Sequence, residues 1–470
     1  MSAQGSSSGQ RSRQPELVQF VNCYVLESGV DGRLVPEDFW INTTTGNISS
    51  PKPAADAVRD LGGCIIAPGL IDLQVNGAIG FNFSNVENIG EYAEGLAAVN
   101  KWLATTGVTS YLPTITSQKN EVYHKAIPFL APTSRGHPDL GASVLGAHLE
   151  GPFLSPAKCG VHDRSVLRPA SSYQDVENVY NLSKAPPRSV KMVTLAPEQI
   201  RDAPEVIKKL SHDNKIIVSL GHTAASYDKA REAVAAGASM VTHLFNAMPP
   251  LSHREREVNV SNIIIPLPET AEDRPAFGII ADGIHNHPSA VAMAHSLHPD
   301  GLILVTDAMH VLGLPDGTYP WQNGTQSQSC VTKSGAKVMA PNVTEKGEGK
   351  QVLAGSAVTL LECVNNFLRY IDDSRDLKGS KAEARLDQHI VTALTAATER
   401  PARLLGLQSC IGTLKAGSHA DFVVLEKVAV RGGTELRLKQ VWKRGFMVFE
   451  EEGYNHAYTW SNGRKVGYDG

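Results

Sequence analysis

The chain reads KIIVSLGHTAASYDKAREAVAAGASMVTHL from Lys215 to Leu244. Apolar runs at 215–220 and 240–244 flank a helix-like segment at 224–237 that ends in glycine. Glycine is the favoured residue just past the C-terminal end of a helix. The apolar runs are mostly continuous rather than alternating, which is typical of strands buried on both faces of a parallel sheet. This stretch therefore predicts a strand, a helix and a second strand of an α/β fold.

The same alternation recurs along most of the chain. Eight apolar runs are separated by helical or loop segments, and they lie at residues 65–75, 108–115, 143–149, 190–195, 215–220, 240–244, 277–281 and 302–306. Eight strands that alternate with helices imply a closed (β/α)8 barrel of the TIM-like type. We predict that this barrel spans residues 67–405 as one domain.

The flanks of the predicted barrel have a different pattern. Short β-like stretches with turn residues between them lie at 17–26, 38–48, 412–425 and 435–449. Such strands cannot each form a core alone, so residues 17–66 and 406–455 predict one small β-sandwich domain. The Ser-, Gly- and Gln-rich residues 1–16 predict a disordered tail, and residues 456–470 predict a polar tail on the surface.

The bulk composition bounds the class of protein. The chain has 470 residues, of which 42% are hydrophobic and 20% are charged, which is close to the average for soluble globular proteins. The net charge of -4 argues against a nucleic-acid partner, because such surfaces carry a basic excess. No run approaches the roughly 18 uncharged apolar residues of a membrane span.

The cysteines indicate the compartment. The six cysteines stand at positions 23, 64, 159, 330, 363 and 410, and no two are closer than 33 positions. This spacing excludes zinc-ribbon and redox-pair motifs. Residues 1–14 also lack the apolar core of a secretory signal. We therefore expect reduced thiols and a cytoplasmic location.

Four short segments each close an apolar run with one polar residue that can bind a metal or move a proton. They are HLEGPF at 148–153, GHT at 221–223, THLFNA at 242–247 and VTDA at 305–308. The C-terminal ends of barrel strands meet at one mouth, so Glu150, His222 and His243 are expected to converge. One carboxylate and two imidazoles form a metal's protein ligands with a position left for water. Asp307 is then placed to take that water's proton and return it to a leaving nitrogen.

The end of the first strand predicts a single ion. Many metal-dependent hydrolases on this barrel carry His-x-His there, whereas this chain carries Gln74 and Asn76. Side-chain amides are weak ligands for zinc, so a second ion is not expected. Ligation by histidine and carboxylate favours zinc but also suits iron, cobalt or manganese, and the sequence leaves the identity of the divalent metal open.

Two further residues suggest a polar substrate. The segment 254–275 is polar, contains prolines and predicts an active-site loop. Arg254 in this loop can bind an anionic group, because a guanidinium matches phosphate geometry with a bidentate fork. His285, in DGIHNHP at 282–288, can hydrogen-bond a sugar hydroxyl.

These motifs closely resemble those of the N-acetylglucosamine-6-phosphate deacetylases of the amidohydrolase superfamily. The likeness covers roughly residues 17–450 and also includes PGLIDLQVNG at 68–77 and LAGSA at 353–357. The resemblance implies Glu150, His222 and His243 as ligands of one metal and Asp307 as the catalytic acid and base. It further implies substrate contacts, with Asn246, Ala247 and Arg254 on the phosphate and Val161, His285, Leu353, Ala354 and Gly355 on the sugar and acetyl group.

The implied reaction is hydrolysis of N-acetyl-D-glucosamine 6-phosphate to D-glucosamine 6-phosphate and acetate, and the implied assembly is a homodimer. The family continues after Arg254 with an acidic residue and Pro-Gly, whereas this chain reads Glu255-Arg-Glu-Val. Whether Arg254 or Arg256 holds the phosphate, and from which subunit, therefore stays open. So does the choice between a catabolic and a recycling role. The rival interpretations are a deacylase or cyclic amidase for another substrate, and a catalytically silent scaffold or sensor barrel.

Overall fold

The structure is a computed structural model that describes residues 16–27, 29, 32–132, 141–251, 260–265, 273–341, 351–373, 378–453, 459–461 and 464–466. The predicted tail at 1–16 lies outside the described residues except for Glu16. In the described part of the chain, no helix combines the length and the apolar character that crossing a bilayer requires.

The N-terminal flank forms strands, as predicted. They are β1 Leu17–Glu27, β2 Arg33–Pro36, β3 Phe39–Asn42, β4 Asn47–Ile48 and β5 Ala57–Pro68. Strand β1 pairs antiparallel with β2 and β3 and parallel with β5. Its burial alternates over much of its length, because one face covers a core and the other is open to solvent.

The barrel follows directly. Its strands, together with the short pair β7 and β8, are β6 Leu70–Val75, β7 Gly77–Ala78, β8 Phe81–Asn82, β9 Val108–Ile115, β10 Ser143–Val144, β11 Ala147–Glu150, β12 Val190–Leu195, β13 Ile217–Leu220, β14 Ala238–Val241, β15 Ala276–Ile280 and β16 Leu302–Val305. All pairs from β6 and β9 round to β16 are parallel. The ring closes where the Asp307 amide donates to the Gln74 carbonyl and the Asn76 amide to that of Ala308. The predicted eight-stranded barrel is confirmed.

The apolar run predicted as the first barrel strand is longer than the strand itself. The run at 65–75 is divided at Gly69, because residues up to Pro68 pair with the flanking sheet and only Leu70–Val75 joins the barrel. A side chain at Gly69 would lie 2.2 Å from Thr109, so the backbone passes against β9 as it changes sheet. The apolar character is continuous across this change, which is why the pattern did not reveal it.

Helices connect the barrel strands in the described part of the chain. They are α1 Tyr92–Ala104, α2 Asn120–Ala126, α3 Tyr173–Tyr180, α4 Ala203–Lys208, α5 Tyr227–Ala235 and α6 Pro288–Leu297. Helix α5 lies inside the segment predicted at 224–237 and begins after Ser226, whose hydroxyl accepts a hydrogen bond from the Lys229 amide. Such N-caps satisfy a backbone donor that the first helical turn leaves free.

An antiparallel sheet that was not predicted is inserted after the last barrel strand. It consists of β17 Gly317–Asn323, β18 Gln326–Ser334, β19 Lys337–Pro341 and β20 Gln351–Ser356, in that order. Its buried face includes Trp321, Val331, Val338 and Ala354, which pack on Met309 just beyond the barrel. The inserted sheet therefore stands beside the barrel mouth.

The chain then completes both domains with α7 Leu360–Ile371, α8 Ser380–Thr395, α9 Glu399–Leu404, β21 Phe422–Val430, β22 Gly433–Lys443, β23 Phe446–Glu450, β24 Thr459–Ser461 and β25 Arg464–Val466. Strand β21 pairs with β5, so the two flanks share one sheet. The Phe20 ring packs edge-on against Phe422 and Trp442, at centroid distances of 5.4 and 5.2 Å. The flanks thus form the small β-sandwich domain. Strands β24 and β25 lie in the predicted tail at 456–470, and the rest of that tail lies outside the described residues.

Candidate active site

The three predicted metal ligands converge at the barrel mouth. Glu150 is the last residue of β11, and His222 and His243 each stand two residues past the ends of β13 and β14. All three are at most 5% exposed. Because these strands are parallel, their C-terminal ends face the same opening and bring the side chains together.

The spacing of the ligand atoms suits one ion. Oε1 of Glu150 lies 3.2 Å from Nε2 of His222 and 3.1 Å from Nε2 of His243, and the two Nε2 atoms are 3.1 Å apart. A tetrahedral zinc with bonds of about 2.0–2.2 Å separates its ligand atoms by about 3.3–3.5 Å. The three atoms therefore need to move only a few tenths of an ångström to share a cation.

The tautomer of His222 also suits a metal ligand. Its Nδ1 lies 2.8 Å from the Lys158 carbonyl oxygen, which can only accept, so Nδ1 carries the proton. The Nε2 lone pair then faces Glu150 and is free to bind a metal. Nδ1 of His243 is buried and has no hydrogen-bond partner among the described residues.

Glu150 is held as a carboxylate. Burial opposes its charge, but the neighbouring His222 and His243 side chains hold the pKa of Glu150 well below its ordinary value. The side-chain amide of Gln74 donates to both carboxylate oxygens, at 3.1 and 3.2 Å. Glu150 is therefore oriented and anionic, as a metal ligand must be.

Asp307 lies beside this cluster without belonging to it. It follows β16, and its Oδ1 accepts hydrogen bonds of 2.7 Å from Asn76 and 3.2 Å from Gln74. Burial, together with the nearby Glu150 carboxylate, raises the pKa of Asp307 to about 6. A carboxyl group with a pKa near neutrality can both accept and donate a proton, which is the property that general acid–base catalysis needs.

The backbone is strained where these residues leave their strands. His222, His243, Ala247 and Asp307 have φ values of 47°, 30°, 52° and 49°. L-residues other than glycine adopt this left-handed conformation at a cost of about 1–2 kcal/mol. Strained backbone of this kind clusters at functional sites, and here it lies at the ends of β13, β14 and β16.

His162, which we did not single out from the sequence, lines the same cavity. Its ligand atom lies within 4.8 Å of those of Glu150 and His222. The Ser117 amide donates to its Nδ1 at 3.2 Å, so the neutral ring carries its proton on Nε2. Burial, and secondarily the electrostatic effect of nearby His222, lowers the pKa of His162 to about 3. His162 is therefore better suited to donate a hydrogen bond from Nε2 than to bind the metal.

A cavity of about 180 Å³ is lined by the three predicted metal ligands, by Asp307 and by most of the predicted substrate contacts. Predicted contacts that line it are Val161, Asn246, Ala247, His285, Leu353 and Gly355. Ala354, between two of these residues, packs instead in the core of the inserted sheet, because neighbouring residues of a strand face opposite sides. Arg254 and the alternative Arg256 lie outside the described residues.

The fixed orientation of His285 supports a role in binding. Its Nδ1 lies 2.7 Å from Oδ2 of Asp282, and that carboxylate also accepts the His285 backbone amide at 2.8 Å. The carboxylate therefore holds a proton on Nδ1. Asn246 donates to the Leu244 carbonyl at 3.3 Å and lines the cavity with His285.

The inserted sheet supplies one wall of the cavity, which the sequence did not predict. Trp321 and Met309 line the cavity together with Leu353 and Gly355 of β20. A side chain at Gly355, where φ is 52°, would lie 2.4 Å from the Asp307 carbonyl oxygen, so the strand can approach Asp307 only with glycine there. The Asn323-Gly324 dipeptide is a hairpin signal that could have revealed the sheet.

Buried Glu, His and His side chains that could hold a metal ion, at the mouth of a parallel barrel with a separate carboxylate beside them, are the arrangement of a metal-dependent hydrolase. The chain belongs to the amidohydrolase family, whose profile matches residues 65–466. It is 39% identical over 450 residues to the N-acetylglucosamine-6-phosphate deacetylase of Bos taurus, covering 93% of this chain and 98% of that protein. It is 38% identical over 442 residues to the protein of the same name from Homo sapiens, covering 91% and 96%.

A solved structure has the same fold. It is a mutant N-acetyl-D-glucosamine-6-phosphate deacetylase from Mycobacterium smegmatis in complex with N-acetyl-D-glucosamine 6-phosphate. The TM-score is 0.69 at 26% sequence identity, over 92% of this chain and 99% of that one.

Proposed function

We propose that this chain hydrolyses N-acetyl-D-glucosamine 6-phosphate to D-glucosamine 6-phosphate and acetate. The observation that carries the proposal is that Glu150, His222, His243 and Asp307 meet in one cavity with His285 and Asn246. An amide hydrolase needs these parts, namely a metal site, a proton-transfer group and polar groups for the substrate. The likeness to deacetylases over nearly the whole chain supports the choice of substrate.

One divalent ion, for which we propose zinc, would be held by Glu150, His222 and His243. The ligand spacing and the tautomer of His222 fit such an ion. Such an ion, when bound, activates water at neutral pH and polarises the amide carbonyl. Gln74 and Asn76 hold Glu150 and Asp307 by hydrogen bonds, so we assign them orienting roles and propose a single ion.

Asp307 is the proposed proton carrier. As a carboxylate it accepts the proton of the attacking water, and as a carboxylic acid it returns that proton to the amine of the sugar as the C–N bond breaks. Its pKa of about 6 leaves the carboxylate populated at neutral pH. Asn76 and Gln74 both donate to Oδ1, so we propose that Oδ2 receives the proton.

His162 is the proposed donor to the acetyl carbonyl oxygen. Its neutral ring carries the proton on Nε2, because Nδ1 accepts the Ser117 amide. Negative charge develops on the carbonyl oxygen as the water attacks. A fixed donor in a buried site stabilises that charge at little cost in reorganisation.

The polar residues beyond β14 and β15 are the proposed contacts for the rest of the substrate. We assign the phosphate to Asn246, the backbone at Ala247 and an arginine of the 254–275 loop, and the sugar hydroxyls to His285. Val161, Leu353, Ala354 and Gly355 complete the proposed sugar and acetyl pocket, with Ala354 acting through its backbone. A homodimer is proposed on the resemblance alone, and a cytoplasmic location on the spacing of the cysteines.

The first test measures acetate release from N-acetylglucosamine 6-phosphate and from unphosphorylated N-acetylglucosamine, with metal content assayed on the same sample. We expect turnover of the phosphorylated sugar alone and about one metal per chain. Bound metal without turnover of either sugar would favour a deacylase or cyclic amidase. Neither metal nor turnover after zinc addition would favour the scaffold interpretation.

The second test is Asp307→Asn. We expect at least about a hundredfold loss of kcat with an unchanged metal content, because Asp307 is not a proposed ligand. Asp316→Asn, on the surface beside Lys333, is the matched control and should keep full activity. Near-normal turnover by Asp307→Asn would contradict the assignment of the proton carrier.

A further inference from the structure

The loop that carries His162, residues 159–165, is fastened by the turn between β17 and β18. The side-chain amide of Asn323 donates to the Val161 carbonyl at 2.6 Å. The backbone amide and the hydroxyl of Thr325 both donate to Oδ2 of Asp163, at 2.8 and 2.6 Å. The two residues that flank His162 in sequence are therefore both held by one hairpin turn.

The fit between the turn and the loop is close. A side chain at Gly324, where φ is 58°, would lie 2.6 Å from Cβ of Asp163. Asn323 and Asp163 are 2% and 5% exposed, so these two side chains are largely shielded from water at the contact. The Thr325 hydroxyl also lies 2.9 Å from that of Ser165, and the Ser165 amide donates to Oδ1 of Asp163. The turn thus contacts the loop at several points.

The His162 ring is held on its other side by the barrel. The Ser117 amide and hydroxyl lie 3.2 and 2.9 Å from Nδ1 of His162. The ring also packs edge-on against His222, with centroids 4.5 Å apart. With Nδ1 fixed, the direction of the Nε2–H bond depends on where the loop backbone holds the residue.

The same inserted sheet is tied to Asp307. The Ser356 amide, at the end of β20, donates to the Asp307 carbonyl at 3.0 Å, and the Met309 amide donates to the Ser356 carbonyl at 2.9 Å. One end of the sheet therefore contacts the segment of the proton carrier. The other end, at the β17–β18 turn, contacts the loop of the proposed carbonyl donor.

We infer that the inserted sheet braces the two sides of the reaction centre, with Asn323 and Thr325 as positioning residues that act through His162. This inference rests on the proposed deacetylation and on the role proposed there for His162. The turn sets the position of Nε2 relative to the acetyl carbonyl oxygen, and the hydroxyl of Thr325 is the contact that can be removed most cleanly, because Thr325 is exposed. Small displacements of a group that acts in the transition state reduce kcat more than they change KM.

The experiment compares Thr325→Val, Thr325→Ser and the control Thr318→Val. The control removes a hydroxyl hydrogen bond of the same sheet, between Thr318 and Thr332 at 3.0 Å, that does not involve the loop. We expect Thr325→Val to lower kcat by about tenfold with little change in KM, and Thr325→Ser to restore it. Hydrogen exchange at residues 162–166 should accelerate in Thr325→Val and not in Thr318→Val. Unchanged kcat and exchange in Thr325→Val would overturn the inference.

A double mutant tests whether the turn acts through His162. His162→Gln should lower kcat, and adding Thr325→Val to it should lower kcat no further. If the two effects instead multiply, the turn does not act through His162 and the inference is wrong. If the wild-type protein is active and Thr325→Val has the same activity, only this inference fails. If the wild-type protein binds metal but is inactive, the proposed function on which the inference rests fails.

Discussion

The side-chain amide of Asn76 donates a hydrogen bond of 2.7 Å to Oδ1 of Asp307. Asn76 follows the first barrel strand, and Asp307 follows the last, so the bond crosses the point where the barrel closes. An amide at this position can orient a carboxylate but is a poor ligand for zinc. The contact therefore fits a site with one metal and one proton carrier.

Asn76→Leu removes this hydrogen bond and keeps the branched shape of the side chain. Because the Asn76 donor lowers the pKa of Asp307, its loss should raise that pKa. Asp307 must be a carboxylate to accept a proton, so the acid limb of the pH profile of kcat/KM should move to higher pH. We also expect kcat at neutral pH to fall by about tenfold. Asn214→Leu, at a surface hydrogen bond to Tyr173, is the control, and an unmoved acid limb in Asn76→Leu would count against this role.

Removal of the metal should destabilise the protein as well as inactivate it. Without a cation, the buried His222 and His243 nitrogens face each other at 3.1 Å. A ligand at a hundredfold excess over its Kd stabilises the folded state by about 2.7 kcal/mol. We expect chelation to lower Tm and zinc to restore both Tm and turnover. The Tm of Glu150→Gln should change little on addition of chelator or zinc. A wild-type Tm that does not change on chelation would contradict a metal at this site.

Asp72 should make stability depend on pH. Burial raises the pKa of Asp72 to about 7, against opposing hydrogen bonds from Thr306 and Gln74. The folded state then binds an extra proton between the unfolded pKa near 4 and the folded pKa. The free energy of unfolding should therefore fall as pH rises through this window, by up to about 1.4 kcal/mol per pH unit.

Asp72→Asn removes the titrating group from this position. Asn can still accept the Gln74 amide, and its own amide can donate to the Thr306 hydroxyl, which also lies 3.2 Å from the Gln74 carbonyl. Urea unfolding at pH 5, 6, 7 and 8 should show a smaller loss of stability with pH in this variant. Asp316→Asn is the control, because the lowered pKa of Asp316 places its effect below this window. Equal slopes in wild type and Asp72→Asn would refute the prediction.

Lys443 joins the sandwich domain to the barrel. Its Nζ lies 2.6 Å from Asp421 and donates to the Thr109 carbonyl of β9 at 2.8 Å, and its side chain is 2% exposed. Lys443→Met leaves a buried carboxylate without its cation and should lower the free energy of unfolding by about 3–5 kcal/mol.

Two further variants isolate the charge. Adding Asp421→Asn to Lys443→Met should recover part of the lost stability, because the unpaired charge is removed. Lys427→Met breaks the more exposed pair with Asp387 and should cost less than about 1 kcal/mol. A similar loss in Lys427→Met and Lys443→Met would show that burial does not determine the effect.

Periodicity predicted the barrel because a parallel strand buried on both faces must be apolar along its whole length. The same rule predicted the position of the site, since a polar residue at the end of such a strand, such as Glu150, or just past it, such as Asp307, has to lie at the barrel mouth. The division of the run at 65–75 was not predicted, because an apolar strand has the same sequence pattern whether it belongs to the barrel or to the flanking sheet. The inserted sheet escaped it because its strands are only partly buried and do not repeat the barrel pattern.

The sequence by itself determined the eight strands, the two flanks and the convergence of Glu150, His222, His243 and Asp307 at the barrel mouth, because local periodicity and the positions of strand ends indicate all of these. Only the tertiary structure decided that Nδ1 of His162 accepts from Ser117 and that the turn at Asn323 holds the His162 loop. These contacts join residues 45 and 162 positions apart. The physical reason is that a tautomer or a loop position depends on which distant donors and acceptors come together in space. No local sequence pattern predicts such long-range contacts.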